Sequence, residues 1–183
     1  TTVYCGNNLA LTHTVHGHKM FVDTRDLSLA PHILLDGKWE DWITGAFRRL
    51  VRPSMNVVDI GANMGWYSVL AADLVGPNGK LVSFEANPAL TDIVFRNLMI
   101  NGFFERSKVE CKAVYSDSRQ MEFLTFQKYL GASSFFVTPE LATQFGDTVQ
   151  VLKVDTISLD EYFPKSSRVD FVKIDAEGAE PHV

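Results

Sequence analysis

The stretch Asn56-Val57-Val58-Asp59-Ile60-Gly61-Ala62-Asn63-Met64-Gly65 constrains the fold of this 183-residue chain more than any other. A short β-branched run closes in a glycine-rich turn and passes directly into an apolar helical pattern, Trp66 to Val75, which makes a strand, a turn and a helix. The pattern then repeats. After the turn Gly76-Pro77-Asn78-Gly79, Leu81 to Phe84 reads as a strand, Ala89 to Ile100 as a helix closed by Asn101-Gly102, and Val109 to Val114 as a third strand. Strand and helix in short alternation require right-handed crossovers, so the predicted fold class is α/β with a doubly wound, mostly parallel sheet.

The rest of the chain departs from that rhythm. Met121 to Phe126, Ser134 to Val137 and Thr148 to Asp155 are strand-like with no full helix between them, which predicts an antiparallel hairpin insertion. Ser158 to Phe163 reads as one helical turn, and Val169 to Ile174 returns as a buried strand. Upstream, residues 1–30 alternate loosely, and Trp39, Trp42, Ile43, Ala46, Phe47 and Leu50 recur at helical spacing before Arg52-Pro53 stops the helix. Trp39, Trp42 and Phe47 are read as core. The expected organisation is a β-rich N-terminal segment over residues 1–38 and a main domain over 39–183.

Seventeen Lys and Arg against twenty-two Asp and Glu give a net charge of −5, which argues against a general nucleic-acid binder. Apolar runs are broken well before the ~20 residues a bilayer crossing needs. Cys5 and Cys111 form neither a metal cluster nor a disulfide framework, so a reducing, cytoplasmic location is expected. The chain begins at Thr1 and stops at Val183, and both ends read as cuts in a longer, multidomain protein.

The glycine turn carries the chemistry. Gly61 and Gly65 with Asn63 between them let a ligand approach the backbone at a helix N-terminus, but they do not make the G-x-G-x-x-G of a dinucleotide site or a P-loop. Asn63 stands where positive φ is needed, which Asn tolerates. Asp59 puts an acid beside that turn and suits a cationic ligand. Glu85 ends the second strand, twenty residues beyond Gly65, where a carboxylate can accept both hydroxyls of a ribose. Asp175 ends the last strand, so Asp59 and Asp175 are expected to face one cleft, with Asp175 placed to orient or deprotonate an acceptor hydroxyl. Glu177 and Glu180 are read equally well as helix-start acids or as functional groups.

Val58 to Ser68, Phe84-Glu85-Ala86-Asn87-Pro88, Asn97, Asn101-Gly102, Ala113-Val114, Ser158-Leu159-Asp160 and Phe171 to Glu180 together resemble the FkbM-type methyltransferases. The closing Lys173-Ile174-Asp175-Ala176-Glu177-Gly178-Ala179-Glu180 is the most family-specific piece, since the glycine turn is shared by all class I methyltransferases. The resemblance implies a Rossmann-like sheet and S-adenosylmethionine-dependent O-methylation of a hydroxyl on a sugar, glycan or natural product. It carries cofactor contacts onto Asp59, Gly61, Ala62, Asn63, Gly65 and Tyr67 of the first unit. The second and third strands add Glu85, Ala86, Asn87, Ala113 and Val114. It also implies a helix and three strands beyond the last residue here, which leaves the sheet with an open edge. Two other classes fit the same alternation: an NAD-dependent oxidoreductase, opposed by the glycine pattern, and a non-catalytic Rossmann-like binding module. A metal site at His13, His16 and His18, with the last two sharing a strand face, lacks the further ligands such a site needs, so no metal is expected.

Overall fold

The computed structural model describes residues 1–136, 139–144 and 146–183. Three antiparallel strands open the chain, β1 (Val3–Gly6), β2 (Leu9–His13) and β3 (Lys19–Asp23), in the order β1-β2-β3. Helices α1 (Ala30–Asp36) and α2 (Asp41–Leu50) follow. The alternating core is β4 (Asn56–Ile60), α3 (Trp66–Val75), β5 (Lys80–Phe84), α4 (Pro88–Ile100) and β6 (Ser107–Glu110). β7 (Ala113–Val114), β8 (Gln120–Phe126), α5 (Pro139–Gln144), β9 (Val149–Ile157), α6 (Leu159–Tyr162) and β10 (Phe171–Ile174) complete it. The main sheet runs β10-β4-β5-β6 with every neighbouring pair parallel, an α/β Rossmann-like arrangement. The order reverses between β4 and β10, and a ligand crevice belongs at the strand ends beside that reversal.

Local chemistry explains the central elements. β4 is flanked by strands on both sides, and Val57 to Ile60 are all buried. Eight of the ten residues of α3 are buried, so it is an inner helix without a polar face. α4 starts as its sequence dictates: Asn87 Oδ1 accepts from Ala89 N at 3.0 Å, and Pro88 occupies the first turn. The largest hydrophobic cluster joins Met20, Val22 and Ile33 of the N-terminal segment to Val57, Val69 and Leu98 of the alternating core.

Several expectations need correction. The third strand is two pieces, β6 and β7; β7 leaves the main sheet to pair in parallel with β9, while β8 and β9 form the antiparallel hairpin. Ser134 makes only an isolated bridge to Leu124, and Val137 lies outside the described residues. Trp39, just before α2, packs against the core and Phe47 within it is buried, but Trp42 is 91% exposed. The helix buries the face centred on Thr44 and Phe47, and Trp42 projects from the opposite one. β10 is not fully buried: among the described residues it pairs only with β4, and Val172 and Ile174 are exposed. His16 and His18 sit in the turn before β3, not on one strand face.

Candidate active site

The carboxyl ends of β4, β5 and β10 open on one cavity. Gly61 and Asn63 of the glycine turn, Glu85 and Ala86 after β5, and Ala113 and Val114 of β7 line it. The hairpin side closes over it with Phe123, Leu130 and Phe135, and Asp175 and Glu177 complete the wall after β10. Seven sequence-predicted residues therefore meet at one place: Gly61, Asn63, Glu85, Ala86, Ala113, Val114 and Asp175.

The other predicted residues stand behind that wall. Gly61 N and Ala62 N each donate to Phe84 O at 3.0 Å, so Ala62 pins the turn to the end of β5. Gly65 opens α3 at φ +85°, where an added Cβ would lie 3.4 Å from the backbone of Val94. Tyr67 is buried and donates its hydroxyl to Glu40 Oε2 at 2.8 Å; burial raises its pKa above the usual phenol range. Asn87 is the cap of α4 described above.

Glu85 is the best-defined polar group of the cavity. Its Oε2 accepts from Asn63 N at 2.8 Å and its Oε1 from Asn87 N at 2.9 Å, which ties the glycine turn to the start of α4 through one carboxylate. Each oxygen keeps acceptor capacity. Burial pushes its pKa up to about 7, against the two backbone donors and the Lys173 charge that favour the ionised form. Nearby, Asn63 holds φ +52° as its place in the turn demands, and its buried Oδ1 has no hydrogen-bond partner among the described residues.

Asp59 does not face the cavity. The side chain is 0% exposed and turns toward α3, where Ser68 Oγ donates to Oδ2 at 2.6 Å. The cation it attracts comes from the protein itself: Lys173 Nζ lies 3.2 Å from Asp59 Oδ1 and 3.6 Å from Asp175 Oδ2. Register explains the meeting, since Lys173 pairs directly with Asp59 across β4 and β10. The ammonium also donates to Gly61 O at 2.8 Å and sits 5.4 Å above the Tyr67 ring. Burial alone would lower the Lys173 pKa, but Asp59 and Asp175 overcome it and hold the group charged. Sequence reasoning named this lysine only as the start of the closing motif and gave it no role, although a lone charge inside the apolar run Phe171-Val172-Lys173-Ile174 was a visible signal.

Gly61 has a different reason from ligand clearance. At φ +71°, a Cβ there would fall 1.8 Å from the carbonyl oxygen of Asp175, so the glycine lets the chain after β10 cross the turn. Glu180 closes the following loop, accepting from Ala176 N at 2.8 Å and Gly178 N at 2.9 Å. Glu177 faces the cavity from a left-handed backbone, φ +49°, and burial, Asp175 and Glu180 raise its pKa. Among the described residues, no three His, Cys, Asp or Glu side chains are placed to share a metal ion. His18 instead lies 3.2 Å from Asp73. No helix among the described residues is long and apolar enough to cross a membrane.

Residues 59–183 match the model of the methyltransferase FkbM domain. Ribosomal RNA large subunit methyltransferase E of Coxiella burnetii is 38% identical over 63 residues, covering 33% of this chain and 28% of that protein. Methyltransferase sdnD of Sordaria araneosa is 29% identical over 152 residues, covering 69% of this chain and 58% of its own length. This chain thus spans less than two thirds of either relative. Among solved structures, an S-adenosylmethionine-dependent O-methyltransferase of Thermotoga maritima aligns with a TM-score of 0.39 at 16% identity, over 61% of this chain and 48% of that one.

Proposed function

This chain belongs to the FkbM methyltransferase family, and from that premise we propose that it is the cofactor-binding part of an S-adenosylmethionine-dependent methyltransferase acting on a hydroxyl of a sugar, glycan or natural product. The observation that carries the reading is Glu85, a buried carboxylate in the cavity wall whose two oxygens each accept one backbone N–H and keep acceptor capacity. That arrangement fits the two hydroxyls of a ribose. The buried, unpartnered Asn63 Oδ1 in the same wall adds an acceptor, and Ala86, Leu90, Ala113 and Phe123 give an apolar slot for a planar base.

When bound, the cofactor supplies a methyl group on a positively charged sulfur. The chain's own residues hold and align. Asp175 stands at the cavity with its carboxylate steadied by Lys173, and in this reading it accepts the hydrogen bond, and then the proton, of the acceptor hydroxyl. A carboxylate is a weak base for an alcohol, so alignment of the acceptor oxygen accounts for most of the rate. Three acids, Glu85, Asp175 and Glu177, against one lysine, Lys112, line the wall and favour a neutral or cationic acceptor over a polyanionic one such as RNA.

Calorimetry with S-adenosylhomocysteine and with NAD tests the class. Binding of the first alone is expected; binding of NAD alone makes the chain an oxidoreductase part, and binding of neither leaves a non-catalytic module. With a methylated acceptor in hand, Asp175→Asn should lower kcat about tenfold or more while leaving S-adenosylhomocysteine affinity in place. Full activity of that variant would remove Asp175 as the base.

A further inference from the structure

The hairpin wall of the cavity is fastened from outside the family-matched residues. Asp26, 1% exposed, sits between the first sheet and α1. Its Oδ2 accepts from Leu29 N at 2.7 Å and Ala30 N at 2.8 Å, which starts α1. Its Oδ1 accepts from Ser28 Oγ at 2.7 Å and, 104 residues along the chain, from Leu130 N at 3.1 Å. The neighbouring Leu27 N donates to Lys128 O at 2.6 Å, so the contact is a two-point clamp. From the other side Asp147 Oδ2 accepts from Lys128 N at 2.8 Å and Tyr129 N at 3.2 Å.

The segment so held is the one that lines the cavity, through Leu130, Gly131, Ser133 and Phe135. It has little slack. A Cβ on Gly131 would stand 3.3 Å from Asn63 Nδ2 on the glycine turn and 3.5 Å from Ser28 Oγ on the N-terminal segment. Asp26 itself does not touch the cavity, and its four donors fix it to both parts at once. A rigid joint of this kind sets where a wall stands when a ligand arrives, and removing it charges the ordering of the wall to the binding step.

We propose that Asp26 is a positioning residue for cofactor binding: it holds the 128–135 wall against the glycine turn, so that filling the cavity and ordering the start of α1 are one coupled equilibrium. The inference rests on the cofactor reading above. Reciprocity is then required, because a ligand that gains from the joint must also strengthen it.

The test uses the whole chain with S-adenosylhomocysteine as probe. Asp26→Asn, which replaces an acceptor oxygen by a donor, is expected to weaken binding about tenfold, the equivalent of one charge-assisted hydrogen bond. Leu98→Ala, a core deletion in α4 away from the cavity, lowers Tm and should leave the Kd of the folded protein in place. Hydrogen exchange on the wild type supplies a readout that no variant can spoil: saturating S-adenosylhomocysteine is expected to slow the amides of Leu29, Ala30 and Leu130 together. Wild-type affinity in Asp26→Asn, equal weakening in Leu98→Ala, or unchanged exchange at Leu29 and Ala30 overturns the proposal. If the folded wild type does not bind the probe, the cofactor reading falls first and this one with it.

Discussion

Glu85 makes the site sensitive to pH in two opposite ways. Its pKa lies near 4.5 unfolded and is pushed to about 7 by burial in the fold. Between those values the folded chain holds a proton that the unfolded chain has released, so this group's contribution to stability is full below the lower value and is lost as pH rises through 7. The loss is roughly 3 kcal/mol. The ionised carboxylate is the form that accepts two ribose hydroxyls, so S-adenosylhomocysteine affinity should instead rise with pH, by about tenfold per unit below 7. Urea midpoints and calorimetry at pH 6 and 8 measure both slopes, and Glu85→Gln should flatten both. Gly61 gives a second measurable case. Gly61→Ala forces a methyl onto the Asp175 carbonyl at a backbone of φ +71°, and should cost roughly 2–5 kcal/mol in urea unfolding; a loss under about 0.5 kcal/mol would mean that the strand ends part easily. The sequence singled out both residues, and the structure places both on the cavity wall, but the reason for Gly61 was not legible. Its neighbour is a backbone more than a hundred residues away in the chain, and no local pattern states that. The same holds for Asp59, whose acid was evident and whose partner Lys173 depends on the register between β4 and β10.

α4 shows what an element adds to its own periodicity. Asn97 is fully buried inside it, and its Nδ2 donates to Phe21 O at 3.0 Å and Met64 O at 2.8 Å while its Oδ1 accepts from Phe21 N at 2.6 Å. One turn on, Asn101 Oδ1 accepts from Lys19 N at 2.9 Å and its Nδ2 donates to Lys19 O at 2.7 Å. Two asparagines thus extend β3 as if they were a strand, and they dock the first sheet onto the alternating core. Asn97→Leu keeps the branched heavy-atom shape, adds volume and leaves three backbone groups without their partner, so a loss of roughly 3 kcal/mol is expected by urea denaturation. A neutral result would assign the docking to the apolar contacts of Met20 and Val22. β4, α3, β5 and α4 were legible almost to the residue, because β-branched runs, the Gly76 to Gly79 turn and the Asn87-Pro88 start are local signals. The hairpin region was legible only in part. The break between β6 and β7 and the pairing of β7 with β9 are choices among distant partners, which periodicity does not encode.

The N-terminal sheet, α1 and the alternating core share one hydrophobic cluster, with Met20, Leu29 and Ile33 packed together with Val57, Met64, Leu70 and Leu98. Leu130 of the cavity wall belongs to the same cluster. That cluster joins residues 1–38 to the rest, and the hydrogen bonds of Asp26 and Asn97 cross the same boundary. Chains whose parts share a core unfold together. The expectation is therefore a single calorimetric transition whose van't Hoff and calorimetric enthalpies agree. S-adenosylhomocysteine at a hundred times its Kd should move that one transition upward, by about 2.7 kcal/mol in stability. The β8 and β9 hairpin is the part that can open before the rest, since its own cluster is the small group Ala86, Ala113, Phe123 and Val154. Its amides should exchange faster than those of β4 without producing a second heat-absorption peak. Two resolved transitions, with the ligand shifting only the later one, would make residues 1–38 an independent unit and would remove them from the support of the cavity.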